Sequence, residues 1–176
     1  MNEEENKRLE KLIFELARGD ISALEEIYRI IYKILYAVGN IYYSQRADIE
    51  DAIHDLMLLL YTKANKFKFN KNACAWIIKL YQNMILRKLE HRKVEENNID
   101  RNIDDATFSH KGDENYIENY LFYNELFSHM TEHEKDLALY RYIGKCSIKD
   151  IADIMHKPKS TIESQLQRLE NKLKNL

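Results

Sequence analysis

Between Leu24 and Tyr42 the apolar side chains recur every three or four residues: Leu24, Ile27, Tyr28, Ile31, Leu35, Val38 and Tyr42. That period places them on one stripe of an α-helix and on no single face of a strand. The same period returns at Leu9, Leu12, Ile13 and Leu16, and at Ala52, Ile53, Leu56, Met57 and Leu60. It appears again at Trp76, Ile77, Leu80, Met84 and Leu89, and at Ile162, Leu166, Leu169, Leu173 and Leu176. Only 4 glycines and 1 proline interrupt the 176 residues, against 32% charged side chains. A sheet-rich fold needs more breakers than this at its turns. The pattern predicts an all-α chain, and its 12 Tyr and 6 Phe supply large apolar area for one or two cores.

Element boundaries follow from local signals. A first helix is expected over residues 3–18, ended by Gly19-Asp20, with Asp20 or Ser22 capping the second. Asp48 is expected to cap a third. A polar loop, Phe69 to Asn72, precedes a fourth helix from about Ala73 to His91. From Val94 to Asn115 the period vanishes, and the segment is rich in Asn, Asp and Glu, as a mobile acidic linker would be. Helical pattern returns from Tyr116 to about Met130, and Thr131 to Tyr142 opens on a capping box, Thr131-Glu132-His133-Glu134. Three parts result: a helical domain over 1–93, a flexible acidic linker over 94–115 and a second helical domain over 116–176.

The net charge of −2 conceals strong segregation. Residues 1–61 carry −5, residues 62–93 carry +8, residues 94–130 carry −7 and residues 131–176 carry +2. Blocks of this kind speak of partners and not of fold. The stretch from Asp48 to Lys93 turns from acidic to basic along its length. Its basic half holds Lys63, Lys66, Lys68 and Lys71 among Phe67, Phe69 and Trp76, which suits contact with nucleic-acid phosphates. Trp76 also lies on the apolar stripe, so it fits the core as well. An acidic segment of −7 beside a basic one of +8 suggests that the linker covers the basic helix in the free chain.

Residues 144–175 read as a helix-turn-helix. Ser147 with Asp150 is an N-cap signature, and Ile148, Ile151, Ala152 and Met155 form the buried face. His156-Lys157-Pro158-Lys159 is the turn, with proline placed where a helix starts. The last helix presents Lys159, Ser160, Thr161, Ser164, Gln165 and Arg168 opposite its leucines. Short polar and basic side chains at that position are what a recognition helix brings to base edges. A helical hairpin with a solvated face would show the same pattern.

Other classes find less support. Cys74 and Cys146 form no CxxC pair and read as free thiols in a reducing cytosol. No apolar run reaches the ~20 residues of a membrane span, and the acidic start Met-Asn-Glu-Glu-Glu is unlike a signal peptide, so a cytoplasmic location and no membrane partner are expected. His129 and His133 lie one helical turn apart, but no third ligand is evident and no metal site is expected. There is no Gly-rich phosphate loop, nucleophile elbow or pair of catalytic carboxylates. The chain is not expected to be an enzyme or to need a cofactor.

Taken together, the two halves resemble one family, the small two-domain bacterial RNA polymerase sigma factors of the extracytoplasmic-function type. The first half matches through Asp48-Ile49-Glu50-Asp51-Ala52-Ile53-His54-Asp55-Leu56-Met57, then Leu60-Tyr61, Ala75-Trp76-Ile77 and Asn83. The second matches through Cys146-Ser147-Ile148-Lys149-Asp150-Ile151-Ala152-Asp153-Ile154-Met155 and Thr161-Ile162-Glu163-Ser164-Gln165-Leu166. The resemblance implies a sigma region-two-like bundle and a sigma region-four-like helix-turn-helix. It implies that Asp48, Glu50, Asp51, His54 and Asp55 dock on core RNA polymerase, at the clamp of the largest catalytic subunit, with the flap of the second subunit as a further contact. Lys68, Asn70, Lys71, Asn72, Trp76, Lys79, Asn83, Arg87 and Lys88 would take the proximal promoter element, where a base is flipped and a strand melted. Lys79, Asn83 and Arg87 share one helix face. Lys159, Ser160, Thr161, Ser164, Gln165 and Arg168 would read the distal element. An anti-sigma factor is a partner the resemblance allows.

The chain departs from the family's pattern at His54, Arg87 and the Pro158 to Gln165 segment. His156 stands at a turn position that is commonly glycine, which His tolerates at some cost. Glu163 and Gln165 replace frequent basic residues, so modest phosphate affinity and a different promoter preference are expected. Two alternatives compete with a sigma factor: a sigma-like DNA-binding regulator acting without core polymerase, and a polymerase-binding interaction module.

Overall fold

The computed structural model describes residues 3–68, 71–98 and 125–174, all of them helix, turn or irregular backbone. Four helices form the first domain: α1 (Glu3–Ala17), α2 (Ala23–Gly39), α3 (Arg46–Lys63) and α4 (Ala73–Asn98). A 3₁₀ turn, Ala64–Lys66, leads out of α3. The second domain contains a helical turn at 125–128, then α5 (Glu132–Ala138), a π-helical turn (Leu139–Ile143), α6 (Ile148–Met155) and α7 (Lys159–Leu173).

The apolar stripes become the core. Leu9, Ile13, Ile27, Ile31, Leu35, Ile53, Leu56, Ile77 and Tyr81 are fully buried where α1 to α4 meet. Leu137, Leu139, Ile151, Ile162 and Leu169 fill the second domain. Burying a side chain of that size stabilises by about 1.5–3 kcal/mol before conformational entropy is counted. The buried side chains of both domains join into one cluster. Helix α6 packs on α4 and the π turn packs on α2. Gly144 makes the approach possible, because a Cβ there would lie 2.9 Å from Ile78 Cδ1.

Several helix ends differ from the sequence reading. α3 starts at Arg46 from an extended Gln45, so Asp48 is not the cap. It sits in the first turn, where its carboxylate meets the positive end of the helix dipole. Ser22 has helical backbone and makes no cap bond. Asp20 Oδ1 holds that corner instead, accepting from the Ser22 backbone N–H at 3.0 Å and its hydroxyl at 2.6 Å. α4 runs on to Asn98, past the expected boundary at Lys93. The rest of the 94–115 linker, from residue 99, and the helix expected from Tyr116 as far as residue 124 lie outside the described residues.

The helix expected to end at Tyr142 is α-helical only to Ala138 and then widens, with Gly144 N–H donating to the Leu139 carbonyl at 2.8 Å. Both expected capping boxes form, Thr131 with Glu134 and Ser147 with Asp150. His156 closes α6 in the left-handed region, at φ 52° and ψ 43°. Pro158 is the residue before α7. Among the described residues no helix is long and apolar enough to cross a membrane.

Candidate polymerase and nucleic-acid interfaces

The acidic residues expected to dock on polymerase all lie on α3. Its inward face is Ile49, Ala52, Ile53, Leu56 and Leu60, so the other face must turn to solvent. Asp51 and His54 are exposed there, and Asp48, Glu50 and Asp55 are half-buried. The exposed row continues through Leu58, which keeps 69% of its surface, and Tyr61, which keeps 50%. Sequence reasoning gave Leu58 no role and named Tyr61 only within the Leu60-Tyr61 match. Their exposure is unusual beside a buried stripe.

The acidic and basic surfaces touch. Lys88, near the basic end of α4, pairs with Asp55, and Arg92 lies 3.7 Å from Asp48. Glu50 pairs within α3 to Arg46 at 2.8 Å. Lys88 is therefore engaged with the acidic helix and does not stand free beside Arg87. Pairs this exposed contribute little to stability, but they bridge the acidic face of α3 to the basic end of α4.

The basic residues divide in three. Lys68, Lys71, Asn72, Trp76 and Lys79 line a cleft of about 650 Å³ between the domains, together with Lys66 and Phe67. Its opposite wall is α6 and the turn after it, through Asp153, Ile154, His156, Lys157 and Pro158. Four lysines, Lys66, Lys68, Lys71 and Lys79, face Asp150 and Asp153 across it, and Lys157 lies on the aspartates' own wall. A second cleft of about 420 Å³ continues along Lys79 and Asn83 against His133, Asp136 and Tyr140. Arg87 is exposed beyond both. Asn70 lies outside the described residues.

Two of these side chains have structural roles that the sequence reading did not assign. Asn72 caps α4, its Oδ1 accepting from the Ala75 N–H at 2.9 Å. Trp76 is half-buried and tilts against Phe67 at a centroid distance of 5.1 Å, with Phe14 on the far side of Phe67 at 5.7 Å. One edge of Trp76 serves the core and another borders the cleft.

On α7, Lys159, Ser160, Ser164 and Arg168 are exposed on one side of the helix, with Ile162, Leu166 and Leu169 buried on the other. Thr161 is half-buried. Ser164 turns its hydroxyl back to the Ser160 carbonyl at 2.9 Å. Gln165 is held by the ring of His133, whose Nε2 lies 2.9 Å from Gln165 Oε1 and 3.1 Å from Lys157 Nζ. His133 thus braces α7 against α5. Lys172 Nζ also reaches Glu134 at 2.8 Å, and that bond, with the Thr131 N–H second, holds the Glu134 carboxyl below its usual range. Burial pushes the Cys74 thiol up to about 12 and raises that of Cys146 as well, so both are unreactive thiols within the core.

This arrangement has relatives. A family model described as Sigma-70, region 4 matches residues 123–173. Among solved structures similar to the chain is "Structure of CnrH in complex with the cytosolic domain of CnrY", with a TM-score of 0.67 and 12% identity, covering 96% of each chain. No curated protein matches the sequence. The helix-turn-helix of α6 and α7, with its exposed polar face and its capped entry at Ser147, falls wholly within the matched segment. Residues 123–173 match the sigma-70 region 4 model, and the chain as a whole shares its fold with that solved structure.

Proposed function

We propose that the chain is a two-domain sigma factor of the extracytoplasmic-function type, which gives core RNA polymerase its promoter specificity and opens the DNA. The first domain, residues 1–93, docks on the polymerase clamp through Asp48, Glu50, Asp51, His54 and Asp55. Leu58 and Tyr61 extend that face with apolar area, which acidic side chains alone cannot supply. The same domain takes the melted proximal element along Lys68, Lys71, Trp76, Lys79, Asn83 and Arg87. The second domain, residues 116–176, reads the distal element in the major groove from Lys159, Ser160, Thr161, Ser164, Gln165 and Arg168, and contacts the flap of the second subunit. The linker, 94–115, joins them through the polymerase.

The observation that carries this reading is the opposite charge of α3 and α4 on one domain that is tied to a region 4 domain. One face fits a protein machine and the neighbouring one fits DNA. CnrH was solved with the cytosolic domain of CnrY bound, and the shared fold supports a protein partner of this kind, an anti-sigma factor, for this chain. The test is to mix the purified chain with core RNA polymerase and a library of promoter fragments. Complex formation and transcription from a selected subset are expected. No complex and no selected transcription would overturn the proposal.

A further inference from the structure

One nitrogen in the second domain meets two partners that make opposite demands on it. His133 Nε2 lies 2.9 Å from Gln165 Oε1 and 3.1 Å from Lys157 Nζ. An amide oxygen only accepts a hydrogen bond and a lysine ammonium only donates one. A ring nitrogen in one protonation state does one or the other, never both. With a proton on Nε2 the ring holds Gln165, and Lys157 is left over. Without that proton the ring accepts from Lys157, and Gln165 Oε1 is left over. The three residues come from three elements: His133 from α5, Lys157 from the turn and Gln165 from α7, beside the exposed Ser164. The first turn of α5 grips α7 a second time through Glu134 and Lys172, at 2.8 Å, and its capping box fixes that turn. His133 therefore has little freedom to withdraw, and the conflict ends only when one partner leaves.

We propose that His133 is a positioning residue for promoter readout, which pins the Gln165 carbonyl and so fixes the hydrogen bonds that α7 offers a base. This rests on the reading of α7 as the helix that meets the distal element. Lys157 stands just before the start of α7, and helix N-termini and the basic residues around them are where a bound duplex places its phosphates. A phosphate oxygen is a stronger acceptor for an ammonium than a neutral ring nitrogen. When DNA binds, Lys157 goes to the backbone, Nε2 keeps its proton, and the ring donates to Gln165 Oε1. Only the amide N–H groups of Gln165 then remain for the groove. An unrestrained glutamine suits adenine, because its oxygen accepts from N6 while its nitrogen donates to N7. With the oxygen held, that pairing is lost. Two donors suit guanine, whose O6 and N7 both accept. His133 thus converts a side chain that would select adenine into one that favours guanine. The phosphate contact of Lys157 is what frees the ring to do so, which couples backbone contact to base readout.

The experiment uses the full chain with core RNA polymerase and a promoter library randomised through the distal element. Sequenced transcripts give the base preference at each position. Gln165→Ala marks the position that Gln165 reads, as the one where preference changes. There the wild type is expected to favour guanine over adenine. His133→Ala is expected to move that ratio toward adenine by about tenfold, the discrimination of one bidentate contact, with other positions level. His133→Leu keeps the bulk without the donor and replaces it if the alanine variant loses helicity. His133→Gln supplies an N–H for Gln165 and a carbonyl for Lys157, so it is expected to keep the wild-type ratio. Glu134→Gln breaks the other hold of α5 on α7 and is expected to cost stability without moving the ratio. An unchanged ratio in the His133 variants that lack the donor overturns the inference. An equal shift in Glu134→Gln also overturns it, since His133 would then be only a brace. A wild-type preference for adenine, or no change in Gln165→Ala, overturns it while selected transcription leaves the sigma-factor reading standing. Absence of any selected transcription overturns both.

Discussion

Gln82 and Asp136 are joined by a 2.5 Å hydrogen bond across the boundary between the two domains, and the same Gln82 amide donates to the Tyr42 hydroxyl at 3.2 Å. One buried side chain thus ties α4 to α5 and to the segment after α2. Burial pushes the Tyr42 hydroxyl up to about 12, so it stays protonated at neutral pH. Gln82→Met keeps the volume and removes both donations, leaving Asp136 and Tyr42 short of a partner. Unfolding free energy in urea is expected to fall by about 1–3 kcal/mol. The neighbouring Asn83→Ala, at an exposed position, is expected to change it by less than about 0.5 kcal/mol. Equal losses in the two variants would refute the role given to Gln82.

Gly39 marks the tightest crossing in the first domain. A Cβ there would lie 2.7 Å from Ile49 Cγ2 and 3.1 Å from the Tyr81 hydroxyl. Tyr81 is fully buried, and among the described residues its hydroxyl has no hydrogen-bond partner. A shift of the ring would break no hydrogen bond, so the cost of the added methyl falls on the close packing around Tyr81 and Ile49. Gly39→Ala gains helix propensity worth about 1 kcal/mol, but overpacking costs about 1–3 kcal/mol, so net destabilisation is expected. Ile49→Ala in the same chain removes the clashing methyl groups. Thermal melts should show Gly39→Ala costing less in that background than alone.

The helices were legible in the sequence because the apolar period is long and almost unbroken. Leu9 to Leu16, Ile27 to Val38 and Ile162 to Leu169 are buried where the period placed them. Both capping boxes were legible for the same local reason. Helix starts without a strong cap were not: nothing in Gln45-Arg46-Ala47 announces that α3 begins before Asp48. The site was legible in part. The period showed which faces of α3, α4 and α7 point outward, but not what covers them. The bonds from Lys71 to Asp153 and from Lys79 to Ile154 span 82 and 75 residues, and one of the acceptors is a backbone carbonyl that carries no residue identity. Gln82 and Asp136 gave no signal, since each looks like an ordinary polar residue on a helix.

Glu134 gives the second domain a defined acid limit. Its carboxyl accepts from Lys172 Nζ and from the Thr131 N–H, both at 2.8 Å, and is held below its ordinary value of 4.5. A carboxyl with a lowered folded pKa contributes stability that is present above the unfolded value and lost as pH falls through the folded one. Asp153, lowered by Lys71, acts in the same direction from an ordinary value of 3.8. Melting temperature is expected to hold from neutral pH down to about 4.5 and then to decline. Glu134→Gln should lower it at pH 7 and flatten the decline below that point. A decline of unchanged steepness would show that other carboxyls set the limit.

Asp51 and Arg87 lie on neighbouring helices, both exposed, and the proposed function gives them different partners. Charge reversal at either should leave folding stability within about 0.5 kcal/mol, because neither side chain is buried. Asp51→Arg places a cation where the clamp would meet an acid, and capture of core polymerase is expected to weaken by more than about tenfold. Arg87→Glu leaves that face intact, so polymerase capture should persist. A like charge then faces the melted strand, and opening of the proximal element, read by permanganate reactivity of its thymines, should be lost. The opposite pairing of effects would exchange the roles of α3 and α4. Loss of polymerase capture in both variants would mean that the seam bridged by Lys88 with Asp55 and by Arg92 with Asp48 is a single protein-docking surface, with DNA held elsewhere.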